Sequence, residues 1–97
     1  MKYQSIYKAI QKINYTYLND WSDQAHDLWL ILEVPSLHKR IWITNEFNHR
    51  LKIATANLDY NVDSREYHES YKHYQFKGIK QMRDFIIRNF TEKGSEK

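Results

Sequence analysis

The stretch "DLWLILEVPSLHKRIWIT", residues 27–44, holds two apolar runs separated by a proline. In an extended chain, successive side chains point to opposite sides. Over 27–34, Leu28, Leu30, Leu32 and Val34 then share one side, and Trp29 and Ile31 share the other. A strand that is apolar on both sides belongs in the interior of a sheet. Pro35 ends it, because proline has no N–H to give to a ladder, and "SLHK" makes the turn. Over 40–44, Ile41 and Ile43 alternate with Arg40, Trp42 and Thr44. "NEFNH" has turn chemistry, with Asn suited to positive φ. In "RLKIATA", residues 50–56, Leu51, Ile53 and Thr55 alternate with Lys52, Ala54 and Ala56. Three strands with short connections predict an antiparallel meander.

On either side the period changes from two to three or four. Tyr3, Ile6, Tyr7, Ile10, Ile13 and Tyr17 recur at helical spacing, which predicts an amphipathic helix over 3–18. Ile79, Met82, Phe85, Ile86 and Phe90 do the same over 78–91, where Lys80, Asp84 and Arg88 form two opposite-charge pairs. Between them lies "EYHESYKHYQFKG", Glu66–Gly78, where two periods compete. As a helix it stacks Tyr67, Tyr71 and Tyr74, with Asp63 as N-cap, Glu66 at N3, and Val62 and Tyr67 as a staple. As a strand, "YKHYQF" would be a fourth strand feeding the last helix, since tyrosine favours sheets. The helical spacing of the three tyrosines favours the helix. The expected fold is α+β: a small three- or four-stranded antiparallel meander with N-terminal and C-terminal helices packed on it. One domain over 1–91 is expected, with 92–97 as a disordered tail.

Composition narrows the function. The 97 residues are 41% hydrophobic and 15% aromatic with 2 Gly and 1 Pro, a globular balance and not a disordered one. Without cysteine there are no disulfides, thiol nucleophiles or cysteine-based zinc sites. The N-terminus lacks an apolar core of signal-peptide length, and the longest apolar run, Leu28–Leu32, is too short to span a membrane. A cytoplasmic protein with no membrane partner is expected. Ile, Lys, Tyr and Asn supply 35 of 97 residues, while Gly, Ala, Arg and Pro supply 12. That bias follows AT-rich codons and suggests a low-GC bacterium, phage or plasmid.

No catalytic constellation emerges. His68 and His73 are five apart, so on a helix their rings diverge, unlike the four-apart pair of a zinc-protease helix. His26, His38 and His49 are scattered along the chain, two of them in turns, and two glycines cannot build a phosphate loop. Neither an enzyme, a metal nor a cofactor is expected. The sheet is more informative. If both helices cover the Leu/Ile face, Trp29 and Trp42 lie on an open face beside Arg40 and Lys52, a composition typical of protein-contact hot spots. If a helix covers that face too, the tryptophans are core. The expected function is non-enzymatic protein binding: a small inhibitor or adaptor, of phage or mobile-element type, acting on a host protein complex. The alternative is nucleic-acid binding through a basic, aromatic-flanked surface at His68, Lys72, His73 and Lys77; the net charge of +3 permits it. One continuous positive stripe would favour nucleic acid; both signs of charge mixed around an aromatic patch would favour protein. A homodimer through the tryptophan face also fits the pattern.

Overall fold

The alternating stretch that begins at Leu28 belongs to a five-stranded sheet. A computed structural model describes residues 3–20, 22, 27–46 and 50–90, with only the backbone described at 46 and 50. Helix α1 (Gln4–Ile10) leads into β1 (Thr16–Asp20), β2 (Leu28–Val34), β3 (Lys39–Glu46) and β4 (Arg50–Asn57). Helix α2 (Arg65–Glu69), β5 (Lys72–Phe76) and α3 (Ile79–Phe90) complete the chain. The strands form one antiparallel sheet in the order β1-β2-β3-β4-β5. A single 3-10 turn (Pro35–Leu37) links β2 to β3 and ends at His38, which holds a left-handed φ of 54°. The His38 Nδ1 lies 2.6 Å from a carboxylate oxygen of Asp59 and fastens that turn to the segment after β4.

The α+β class and the meander agree with the sequence, but the sheet has five strands and not three or four. The extra one is β1. The predicted helix over 3–18 ends near Ile10, and Thr16–Asp20 runs as an edge strand beside β2, with a bulge at Leu18. Tyr3, Ile6, Ile10 and Ile13 are buried as expected, whereas Tyr17 sits on the strand at 42% exposure. The tyrosine-rich segment is both of its candidate structures in succession: a five-residue helix, then a strand. Its N-cap is Ser64, whose Oγ accepts the Tyr67 N–H at 3.1 Å, and not Asp63. This puts Tyr67 and not Glu66 at N3, so the expected capping box is absent, and Val62 is exposed. Tyr71 lies in the link and Tyr74 on the strand, so the three tyrosines do not share a helix face. In α3, Asp84 pairs with Lys80 as expected, but its second partner is Arg83 and not Arg88. The linker residues 21 and 23–26, the turn residues 47–49 and the tail 92–97 lie outside the described residues, and His26 and His49 with them.

One face of the sheet carries the core. Leu28, Leu30, Leu32, Val34, Ile41, Ile43 and Ile53 are fully buried against Tyr3, Ile6 and Ile10 of α1 and Met82 and Ile86 of α3. The two helices also contact each other across this face. At about 25 cal/mol per Å² of apolar surface, each such Leu or Ile contributes roughly 1.5–3 kcal/mol. The polar pair inside is matched: Asn45 donates its Nδ2–H to the Tyr3 hydroxyl at 2.7 Å. With both long helices on one side, the opposite side of the sheet is covered, among the described residues, by the short α2 alone, and α2 contacts β4.

Candidate functional site

The second face follows directly from the strand registers. β2 places Trp29, Ile31 and Glu33 there; β3 places Arg40, Trp42 and Thr44; β4 places Lys52, Ala54 and Ala56; β5 places His73 and Gln75. Across the strands Trp29 faces Thr44, Ile31 faces Trp42 and Glu33 faces Arg40. Trp42 in turn faces Ala54, and Ala54 faces His73. All four residues expected to bind a partner, Trp29, Arg40, Trp42 and Lys52, therefore stand on one surface. Trp29 is 41% exposed, while Trp42, Arg40 and Lys52 are half-buried.

Trp42 owes its partial burial to an aromatic cluster at the β4 end of the face. Its ring stacks on Tyr71 with centroids 5.1 Å apart and planes 29° from parallel. Tyr71 also lies roughly parallel to His73, at 6.2 Å, and to His68, at 6.3 Å. Beneath it Tyr67, only 3% exposed, meets Tyr71 edge-on at 5.5 Å. Ala56 is buried on β4, the strand that α2 contacts. The Tyr67 hydroxyl is buried with no hydrogen-bond partner among the described residues.

Charge on this face is mixed. Arg40 donates from Nε and Nη2 to one oxygen of Glu33, at 3.1 and 2.8 Å. That bond holds the guanidinium pKa above its ordinary value, with burial opposing it. Burial raises the Tyr71 phenol, Tyr67 adds to the rise, and the positive charge of Arg40 counters it. Lys52 makes no ion pair among the described residues.

Of the four residues of the nucleic-acid alternative, His68 and His73 meet on the Tyr71 ring, whereas Lys72 and Lys77 do not join them. His73 points to the open face, but Lys72, next to it on β5, points to the opposite side and lines a polar cleft of about 300 Å³ with Lys39, Glu66 and Glu69. His68 is exposed on α2. Lys77 follows the far end of β5, roughly 16 Å along the strand from Lys72 at ~3.3 Å per residue. Its N–H donates to Gln81 at the start of α3. Among the described residues no group of three or more His, Asp or Glu is placed to hold a metal. No helix of the described residues is long and apolar enough to cross a membrane.

Sequence reasoning missed two contacts within this face, Glu33 with Arg40 and Tyr71 with Trp42. Glu33 and Arg40 flank the Pro35 turn, and hairpin register alone would have paired them. The spacing of Tyr71 from Tyr67 is helical and predicts a packed helix face; the helix stops at Glu69, and the ring turns onto Trp42. Comparison of the chain with protein-family models, with curated proteins and with solved structures finds no match.

Proposed function

We propose that this chain is a small non-enzymatic protein-binding module that engages its partner through the second face of the sheet. The observation that carries this reading is the placement of both long helices on the Leu/Ile face. Trp29, Ile31 and Trp42 are left on the other face, among charges of both signs. Exposed tryptophan beside arginine is the composition of binding hot spots, because a large flat ring desolvates much area at little entropic cost. The positive residues do not form the unbroken stripe that tracks a phosphate backbone.

Magnitudes set the kind of complex. Five strands at ~4.8 Å spacing and about 20 Å of length offer roughly 500 Å². A standard interface uses about 800 Å² per partner. The face alone supports a transient contact, and a tight one requires the partner to reach over an edge strand. An inhibitor or adaptor of a host complex, the class suggested by size and composition, is compatible with either.

The test is capture by tagged protein from cells in which it is expressed, comparing wild type with the Trp29→Ala, Trp42→Ala double variant. The expected result is loss of the captured protein with the far-UV circular dichroism unchanged. Undiminished capture would overturn the sheet-face reading.

A further inference from the structure

The open face carries a spacing as well as a composition. Arg40 faces Ala56, Trp42 faces Ala54, and Thr44 faces Lys52 across the β3–β4 ladder. Arg40 and Lys52 therefore flank the Trp42–Ala54 pair, one on each side along the strands. Their separation along the strand direction is four residues, roughly 14 Å at ~3.4 Å per residue. This matches the distance between residues i and i+4 of any extended chain, whose i, i+2 and i+4 side chains share a side.

Both ends of this span have donor capacity in reserve. Lys52 has no ion pair among the described residues. Arg40 uses Nε and Nη2 on Glu33, which leaves Nη1 without a partner among the described residues. The Tyr71 ring stands beside Arg40's row, stacked on Trp42, with Tyr67 beneath it. Among the described strand side chains on this face Glu33 is the only carboxylate, and Arg40 holds it. Between the two cations the surface is ring and methyl: Trp42, Tyr71 and Ala54.

We propose that the partner contributes an extended segment of the pattern acidic–x–apolar–x–acidic, lying along β3 and β4. One carboxylate pairs with Lys52, the other with Nη1 of Arg40, and the apolar side chain rests on Trp42 and Tyr71. This inference rests on the protein-binding reading and names the partner's chemistry.

The probe is a blocked seven-residue peptide, Ser-Glu-Ser-Leu-Ser-Glu-Ser, titrated into the ¹⁵N-labelled full chain and followed by amide and indole shifts. Its controls are the same peptide with Gln for Glu and a 15-nucleotide oligothymidylate. The expected result is weak saturable binding, about millimolar, with shifts at Arg40, Trp42, Lys52 and Ala54. The Gln peptide binds several-fold more weakly. Lys52→Gln weakens the Glu peptide by up to about fivefold, as an exposed ion pair allows. Arg40→Gln combined with Glu33→Gln, which leaves no orphaned carboxylate, does the same. Equal binding of the Gln and Glu peptides on this face would overturn the acidic pattern while leaving the protein-binding reading in place. Shifts confined to other surfaces, or none with either peptide, would overturn the proposal, and the tryptophan capture test then decides the fate of the face itself. Tighter binding of oligothymidylate at these residues would overturn both in favour of nucleic acid.

Discussion

The rings of Trp42 and Tyr71 stack 5.1 Å apart, although one lies in the middle of the sheet and the other in the link between α2 and β5. This contact joins the tyrosine-rich segment to the open face and packs Tyr71 against one side of the Trp42 ring. Tyr71→Ala should uncover Trp42, shift tryptophan emission to the red and cost about 1 kcal/mol beyond the area lost. Tyr71→Phe keeps the stack and should leave the emission near wild type. Equal spectra for all three proteins would contradict the stack.

The Tyr3–Asn45 hydrogen bond, 2.7 Å long and fully inside the core, ties the first helix to β3. A double-mutant cycle with Tyr3→Phe and Asn45→Ala, read by urea denaturation, should give a coupling of about 1 kcal/mol. Additive losses would mean that the bond contributes nothing.

Ser64 and Asp63 compete as caps of α2, and the hydrogen bond from Tyr67 selects Ser64. Ser64→Ala should cost about 1 kcal/mol of stability. Asp63→Ala, at an exposed turn position, should stay within about 0.5 kcal/mol of wild type. The reverse order in thermal or chemical denaturation would reassign the cap.

How far the sequence carried depended on how long each period persisted. β2, β4 and α3 each sustain one pattern for at least seven residues, and β3 for the five residues 40–44 between two strands of the same period, so their inward and outward faces follow from alternation or helical spacing alone. β1 is hidden in the sequence because Tyr17 lies at a helical interval from Ile13 and Ile10, so the apolar spacing predicts a longer helix. The β-forming "YTYL" that follows Asn14 was the stronger signal. In the tyrosine segment each half is only five residues long, too short for either period to win. The open face was legible as alternation. Of its inner contacts, Glu33 to Arg40 follows from the register of the Pro35 hairpin, whereas Tyr71 to Trp42 needs a chain reversal that no local pattern encodes.

Alkaline pH should expose the buried phenols. Burial raises the pKa of Tyr3, Tyr7 and Tyr71, since each is held neutral in the fold. Below the ordinary tyrosine value of about 10, both folded and unfolded chains are protonated, and these groups contribute in full. As pH rises through and beyond that value, the unfolded chain ionises first, so stability falls until the folded phenols titrate. Absorbance at 295 nm should show part of the eight tyrosines ionising late, together with loss of circular dichroism. Simultaneous titration of all eight near pH 10 with the fold intact would contradict this burial.

The most direct test of the central claim is photo-crosslinking from the face itself. Thr44 lies between Trp29 and Lys52 on the open surface, so a benzophenone amino acid there leaves both tryptophans in place. A matched probe at Lys80 on α3 reports the opposite side. Polypeptide adducts from position 44 and none from position 80, in cells expressing the protein, are the predicted result. Adducts from position 80 alone, or nucleic acid in place of protein at position 44, would contradict the account.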